Sequence, residues 1–348
     1  MRKSHSLINT LESLDGNELR KISDIILNML QNMDCEETGA STPEVCPKCN
    51  CSNLAKFGKD KHGKQRYRCN GCHSTFISTS FSVVSYSRFD LTIWKRYIEL
   101  LLMGAPLAKC AEVCGISVKT AFHWRHKILY ALQKDQNNRV LAGIVELDEM
   151  YVPISYKGNH SKSSHFVMPR KAYKRGSDNK AQIGSKACVM CAIERNGQTY
   201  GEVLGKGQPT TAMLSHAFNN RILTDSIVLS DKSSSIGYYF NNFTTIELIQ
   251  LEAHTVVKGK YGPPEVRGAM HIQTVNNLHY RIRSFLRRYN GVATKYLNHY
   301  LALFIWVENH NTLEDNTPEK DVLNHITQAN THINRNSFAL MPPIPQVA

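Results

Sequence analysis

Four cysteines near the start of the chain form two close pairs, each with the spacing Cys-x-x-Cys. Cys46 and Cys49 make the first pair, Cys69 and Cys72 make the second, and nineteen residues lie between them. Two such pairs at this interval can place four thiolates around one Zn²⁺ ion in tetrahedral geometry. Four unrelated buried cysteines would not explain the doublets. We therefore predict a zinc ribbon over residues 44–80.

The segment between the cysteine pairs predicts a hairpin with a cationic surface. Residues 61–64, KHGK, suit the turn, and Phe57, Tyr67 and Phe76 suit a small core. Basic side chains on such a hairpin would contact the phosphate backbone of DNA. The residues predicted to do so are Lys59, Lys61, Lys64, Arg66 and Arg68. The alternative is a solvated turn that binds nothing.

The cationic excess of the whole chain favours a polyanionic partner. The 348 residues include 42 Lys and Arg against 29 Asp and Glu, which gives a net charge of +13. Basic runs lie beside particular elements, and this favours nucleic acid binding over a merely solubilising surface. We find no signal-peptide pattern and no apolar run of ~18–20 residues, so we expect a cytoplasmic protein without a membrane partner. In that reducing compartment the ten cysteines are not expected to form a disulfide framework.

Residues 88–133 predict three helices in the order of a helix-turn-helix domain. A first helix ends at residues 103–106, a short helix follows, and a glycine turn leads into a third helix that Ser117 would cap. The third helix would enter the major groove of DNA. Its predicted groove-facing residues are Lys119, Thr120, His123 and Arg125, and its predicted inward-facing residues are Ala121, Trp124, Ile128 and Leu132. A three-helix bundle that binds nothing is the alternative.

From residue 142 onward, strands and helices alternate. Their order, three strands followed by alternating helices and strands and a final helix, matches an RNase H-like fold. A long basic loop is predicted at residues 155–185, and Cys188 and Cys191 lie in an apolar run, so we interpret both as buried strand residues.

The fold class is therefore α+β with several domains. Two short helices are predicted within residues 6–33. The predicted domains are an N-terminal helical segment and linker (1–43), a zinc ribbon (44–80), a helix-turn-helix DNA-binding domain (81–139), an RNase H-like α/β catalytic domain (140–310) and a tail (311–348).

Two aspartates lie inside or at the end of apolar strands. Asp148 interrupts one predicted strand, and Asp231 ends another. A carboxylate in such a strand is costly unless a cation compensates it, and oxygen ligands suit Mg²⁺ or Mn²⁺. Glu146 and Glu149 are nearby alternatives; strand alternation places Glu146 on the face of Asp148 and turns Glu149 away. The alternative reading is that each aspartate only caps its strand or forms a salt bridge.

A later predicted helix, TVNNLHYRIRSFLRRYN, carries a polar stripe beside its apolar stripe. Asn276, His279 and Arg283 have the spacing i, i+3, i+7 and share one face. Such a helix can pack on a sheet and aim its polar face along the sheet edge, where Arg283 could hold a phosphate. An ordinary amphipathic surface helix would show the same pattern.

These residues together resemble DDE-type insertion-sequence transposases that carry an N-terminal zinc ribbon. The resemblance covers roughly residues 44–310 and rests on CPKCN with YRCNGCH, VELDEMYV, VLSD and TVNNLHYRIRSFLRRYNGVATKYLNHYL. In one branch of that family, asparagine replaces the third acidic residue and lysine follows seven residues later. The resemblance implies a magnesium site of Asp148, Asp231 and Asn276, with Arg283 in the place of the lysine.

The resemblance also implies an activity and partners. The ribbon and the helix-turn-helix would bind the terminal inverted repeats of a mobile DNA element. The metal site would cleave the phosphodiester bond at the element end and join the freed 3′-OH to target DNA. Joining two ends implies at least a dimer, and the protein would associate with the bacterial nucleoid. The alternatives are a non-catalytic DNA-binding regulator and a structure-specific nuclease on the same fold.

Overall fold

The computed structural model describes most of the chain from residue 42 onward. The described ranges are 42–136, 139–157, 186–195, 197–251, 270–310, 318–328 and 330–345, together with residues 15, 18, 21 and 22. The helices predicted within residues 6–33 and most of the loop predicted at 155–185 lie outside the described residues.

The protein has a mixed α/β structure with two sheets, as predicted. The strands are β1 (Leu54–Lys59), β2 (Gln65–Cys69), β3 (Thr75–Ile77), β4 (Ile144–Pro153), β5 (Lys186–Glu194), β6 (Thr199–Lys206), β7 (Ile227–Asp231) and β8 (Glu247–Leu251). The helices are α1 (Leu91–Leu102), α2 (Leu107–Val113), α3 (Val118–Gln136), α4 (Thr211–Phe218), α5 (Ser234–Phe243), α6 (Gln273–Arg287), α7 (Leu297–His310), α8 (Pro318–Thr327) and α9 (Arg335–Ala339). None of the helices in the described ranges is long and apolar enough to cross a membrane.

Strands β1, β2 and β3 form a small antiparallel sheet that carries the predicted ribbon. Tyr67 pairs with Phe76 across β2 and β3, and their stacked rings have centroids 6.0 Å apart. Phe57 is 44% exposed, so the prediction that it joins this core is wrong. It lies on the edge strand β1, where the guanidinium groups of Arg66 and Arg68 cover its ring at 5.4 and 5.6 Å from the centroid.

Helices α1, α2 and α3 follow one another as predicted for the helix-turn-helix, and their buried apolar side chains belong to one cluster. The rings of Trp94 and Trp124 stack with centroids 3.7 Å apart. The Ser117 hydroxyl accepts a hydrogen bond from the Thr120 amide at 3.1 Å, which confirms Ser117 as the residue that caps α3.

The core of the helix-turn-helix extends to residues from the other end of the chain. Trp306 of α7 and Leu323 and Ile326 of α8 belong to the same buried cluster as Trp94. The Ile326 carbonyl also accepts a hydrogen bond from the Val83 amide at 3.1 Å. The helix-turn-helix therefore shares its core with residues outside its predicted boundaries, and the part of the predicted tail that the structure describes helps to build it.

The second sheet has five strands in the order β6-β5-β4-β7-β8. Strands β4, β5 and β6 are antiparallel neighbours, whereas β7 and β8 continue parallel to β4. Helices α4 and α5 cover one face, where Phe218 and Phe240 pack against Leu147. Helices α6 and α7 cover the other, where Leu278 and Leu301 join the core. Both faces are buried, so the side chains of the sheet reach solvent only at its edges and strand ends.

Candidate active site and metal centres

The four cysteines of the ribbon converge, as their spacing predicted. One sulfur from each of Cys46, Cys49, Cys69 and Cys72 lies within 4.8 Å of the others. The pairs Cys46–Cys72 and Cys49–Cys69 have sulfur–sulfur distances of 3.6 Å. A tetrahedral site with Zn–S bonds of about 2.3 Å places sulfurs about 3.8 Å apart, whereas a disulfide needs about 2.0 Å. The cluster therefore fits a zinc ion and not a pair of disulfides.

Local hydrogen bonds favour the thiolate form at two of the four cysteines, Cys69 and Cys72. The amides of Cys72 and Gly71 donate to the Cys69 sulfur at 3.5 and 3.3 Å, and these hydrogen bonds lower the pKa of the Cys69 thiol. Hydrogen bonds from Ser74 lower the pKa of the Cys72 thiol to about 6. A thiolate is the form that binds zinc. The neighbouring cysteine, Cys51, is outside the cluster.

A second cluster of metal-ligating groups lies at one end of the five-stranded sheet. The parallel ladder between β4 and β7 ends at the pair Leu147 and Ser230, so Asp148 and Asp231 occupy the next position on each strand. Carboxylate oxygens of Asp148, Glu149 and Asp231 all lie within 4.8 Å of one another. The structure thus brings the two predicted aspartates together, although 82 residues separate them in the sequence.

The position of Glu149 shows that a prediction based on strand alternation is wrong. It was expected to turn away from Asp148, yet its carboxylate joins the cluster. Beyond the pair Leu147 and Ser230, no β4–β7 ladder separates the two faces of the sheet. The Glu149 side chain can therefore bend around the end of β7 to reach Asp231.

The electrostatics of the three carboxylates favour a bound cation. Burial, and then the charges of Asp231 and Glu149, raise the pKa of Asp148 to about 7. Burial and the charge of Asp231 likewise raise the pKa of Glu149. One Glu149 carboxylate oxygen, Oε2, is buried without a hydrogen-bond partner among the described residues. Three clustered carboxylates with an unsatisfied oxygen fit a divalent cation with oxygen ligands.

Helix α6 brings a histidine to this cluster. His279 is 4% exposed, and its Nδ1 lies 3.8 Å from Oδ2 of Asp148. Burial, and then the charge of Arg283, lower the pKa of His279 to about 4, so the ring is neutral near neutral pH. Its Nε2 is buried with no partner in the described part of the chain.

The other two residues of the predicted polar stripe are exposed. Arg283 lies close enough for its charge to lower the pKa of Asp148, against the larger effects of burial and the neighbouring acids. Asn276 is in the first turn of α6, and no hydrogen bond of its side chain is seen among the described residues. Of the stripe, His279 makes the direct contact with the carboxylates.

Residues 140–309 match the family model of the ISXO2-like transposase domain. This match confirms the relationship to insertion-sequence transposases for the part of the chain that contains the carboxylate cluster. Among solved structures, the chain is similar to a protein in the crystal structure of a pre-cleavage Mos1 transpososome, with 12% identity over 68% of this chain and 78% of that chain and a TM-score of 0.18. No curated protein sequence matches the chain.

Within the ISXO2-like domain, Glu146 has a different position from the three clustered acids. Its side chain is fully buried and accepts hydrogen bonds from the Thr274 amide at 2.8 Å, the Thr274 hydroxyl at 2.9 Å and the Val275 amide at 3.1 Å. Arg195 and His271 lie 3.3 Å from the same carboxylate. Glu146 therefore satisfies two amides at the start of α6 that have no partner within the helix, and orients that helix.

The ribbon residues predicted to bind DNA lie on an accessible surface outside the ISXO2-like domain. Lys59, Lys61, Lys64 and Arg68 are exposed, and Arg66 is half-buried beside Phe57. The turn that presents them is held by Asp60, whose carboxylate accepts hydrogen bonds from the amides of His62 and Lys64 at 2.8 Å.

The predicted helix-turn-helix residues differ in their solvent exposure. Lys119 is exposed, and Thr120 and His123 are half-buried near the start of α3. Arg125 is 2% exposed, so the prediction that it faces the DNA groove is wrong. Its guanidinium donates to the Ala105 carbonyl at 2.7 Å and lies 5.7 Å from the ring centroid of Tyr289. The predicted inward residues are confirmed as buried: Ala121, Trp124, Ile128 and Leu132.

Proposed function

We propose that the protein is the DNA transposase of an insertion sequence. It would cleave the phosphodiester bonds at the element ends and join the 3′-OH ends to target DNA. The observation that carries this proposal is the cluster of Asp148, Glu149 and Asp231 inside a domain that matches a transposase family. The sheet order β6-β5-β4-β7-β8, with antiparallel strands on one side and parallel strands on the other, supports an RNase H-like catalytic domain.

The chemistry of the proposed site follows from its ligands. Asp148, Glu149 and Asp231 would hold Mg²⁺ or Mn²⁺ ions, which supply Lewis acidity to the attacking and leaving oxygens of phosphoryl transfer. His279, neutral and buried, would orient the Asp148 carboxylate. Arg283 is exposed beside the cluster and would pair with a DNA phosphate near the cleaved bond. Asn276 stays a predicted ligand on the same face of α6.

The DNA partner would contact three surfaces. The exposed cations of the ribbon hairpin and the start of α3 would bind the double-stranded terminal inverted repeat, in the presence of a structural zinc ion at the four cysteines. The carboxylate cluster would then receive the scissile phosphate. Because both element ends must be joined to one target, we expect at least a homodimer.

The experiment that tests the proposal uses purified protein, Mg²⁺ and labelled duplexes that carry the repeats flanking its own gene. We expect both cleaved and joined products. Asp148→Asn and Asp231→Asn should lower cleavage by about a thousandfold or more while end binding persists. Asp225→Asn is the matched control, since Asp225 is an exposed carboxylate just before the opposite end of β7. Cleaved products without joining would indicate a nuclease, and binding without cleavage would indicate a regulator.

A further pair of variants tests the third ligand. If Asn276 contributes to the metal site, Asn276→Glu should change the Mg²⁺ concentration needed for half-maximal cleavage. Asn277→Glu adds the same charge at the next exposed position of α6 and should have a smaller effect. Equal effects from the two variants would remove Asn276 from the site, whereas the contact of His279 with Asp148 would stand.

A further inference from the structure

A cavity of about 390 Å³ lies between α3 and the connection from α6 to α7. This volume is within the range of about 300–1,000 Å³ that is common for small-molecule sites. Helix α3 contributes Phe122, Arg125 and His126, and the connection contributes residues 288–293 with Lys295 and Tyr296. The cavity is separate from the carboxylate cluster, because none of the three acids lines it.

The wall of this cavity is strongly cationic. Arg125, Lys157, Arg288 and Lys295 line it, and no carboxylate is among its described lining residues. The ammonium group of Lys157 donates to the carbonyls of Asn290 and Gly291 at 3.2 Å each, which holds it at the rim. Charges of one sign in a concave site attract an anion.

Arg125 provides an independent sign of a missing partner. It is 2% exposed, and its Nε is buried without a hydrogen-bond acceptor in the described ranges. One terminal nitrogen of the same guanidinium donates to the Ala105 carbonyl at 2.7 Å. A buried N–H without an acceptor is costly, and an oxygen-bearing ligand in the cavity would supply one.

Aromatic side chains also line the cavity. The Tyr296 ring lies 4.0 Å from that of His126, and the Tyr289 ring lies 4.6 Å from that of Tyr300, between centroids. The Lys295 ammonium group is 4.8 Å from the centroid of the Tyr296 ring. Cations alone would suit an inorganic anion, whereas cations beside aromatic faces suit a phosphate that carries a nucleobase.

We propose that this cavity binds one unstacked nucleotide of the DNA end that α3 holds. The nucleobase would lie against the aromatic wall, and its phosphate would pair with Lys295 and the Arg125 side of the cavity. The inference rests on the proposed function, because DNA bound at α3 is what delivers the nucleotide. A base leaves the stack most easily where its pairing is already weak.

The test measures the affinity of the full-length protein for a set of end duplexes by fluorescence anisotropy. Each duplex carries one mismatched base pair at a different position. We expect one position to bind about tenfold more tightly than the fully paired duplex, because the mismatch removes part of the unstacking cost. Lys295→Gln and Tyr296→Leu should abolish that gain. Lys206→Gln removes a charge at an exposed position at the end of β6 and should keep it.

The possible outcomes separate this inference from the proposed function. If the wild type binds the end duplex but no mismatch position binds more tightly, or if both cavity variants retain the gain, the inference is overturned and the proposed function stands. Failure to bind any end duplex contradicts both. A thermal shift with deoxynucleoside monophosphates that depends on Lys295, without a mismatch effect, would assign the cavity to free nucleotides and overturn the DNA assignment.

Discussion

The Glu146 carboxylate accepts a hydrogen bond from the Thr274 amide at 2.8 Å, so a buried residue of β4 holds the first turn of α6. The same strand carries Asp148 and Glu149, and the same helix carries His279. One buried carboxylate therefore ties the strand that carries Asp148 and Glu149 to the helix that carries His279.

Replacement of this carboxylate should affect both stability and activity. Glu146→Gln puts an amide group against the N–H donors at the start of α6 and leaves Arg195 without its charged partner. We expect a loss of about 2–3 kcal/mol in the free energy of unfolding. At a temperature where the variant is still folded, cleavage should fall while end binding is retained. Glu247→Gln, at an exposed position of β8, is the control; a Glu146 variant with wild-type cleavage would contradict the positioning role.

The cysteine cluster predicts that substitution of Cys69, but not of Cys51, lowers the zinc content of the protein. Cys69→Ser removes one of the four converging sulfurs, whereas Cys51→Ser changes a thiol outside the cluster. We expect elemental analysis to find zinc in the wild type and in the Cys51 variant, and little in the Cys69 variant. DNA affinity of the Cys69 variant should fall about tenfold or more, since the cationic hairpin loses its support. A wild-type protein purified without zinc would contradict the ribbon.

The buried histidine pair of α3 and α7 predicts acid sensitivity. His126 and His299 share a hydrogen bond of 3.0 Å between their Nδ1 atoms, so at least one ring must accept at Nδ1. Burial lowers the pKa of His299 to about 4, and burial with the charges of His299 and Arg125 lowers the pKa of His126 well below its usual value. The unfolded chain takes up these protons near pH 6.5. Stability should therefore be lost as pH falls from about 6.5 towards about 4.

Denaturant unfolding near pH 7 and near pH 5 measures this loss, which should be about 2 kcal/mol for each buried histidine over about 1.5 pH units. His299→Gln cannot titrate and should reduce the pH dependence, whereas His62→Gln, on the exposed ribbon turn, should not. The raised pKa of Asp148 acts in the opposite direction, because the folded state gains a proton there first. The comparison between the two variants removes that contribution, and equal slopes would contradict the prediction.

Helix α8 should matter for the stability of the proposed DNA-binding region. Leu323 of α8 is 2% exposed in the core that contains Trp94, whereas Leu340 is 76% exposed. We expect Leu323→Ala to cost about 2–5 kcal/mol in the free energy of unfolding and to weaken DNA binding near the unfolding temperature. Leu340→Ala should change stability by less than about 0.5 kcal/mol. Similar values for both variants would show that α8 is not part of the core.

The parts of the site that depend on local patterns could be predicted from the sequence. The cysteine doublets specify their own geometry, because one ion fixes four ligands. Asp148 and Asp231 were recognisable because carboxylates are costly in apolar strands, and parallel neighbours bring such positions together. The helical period also identified the buried face of α3, including Trp124.

The errors have a common cause in contacts between distant segments. Strand alternation wrongly predicts that Glu149 faces away from Asp148, because the sequence does not show where the β4–β7 ladder ends. The prediction that Arg125 faces the DNA groove is wrong because its partners, Ala105 and Tyr289, are distant in the sequence. Glu146 is an acidic residue in the same strand as Asp148 and Glu149, so the sequence does not distinguish it from them. Its hydrogen bond with Thr274 shows its different role.

Helix α7 belongs to two hydrophobic cores at once: Trp306 packs with the helix-turn-helix, and Leu301 packs with the five-stranded sheet. A flexible linker would let the helix-turn-helix move freely relative to the carboxylate cluster. A shared helix instead joins the two cores directly, so DNA bound at α3, as proposed, would lie at a fixed distance and angle from the carboxylates. Changes in the length of the DNA between the recognised bases and the cleaved bond should then be poorly tolerated.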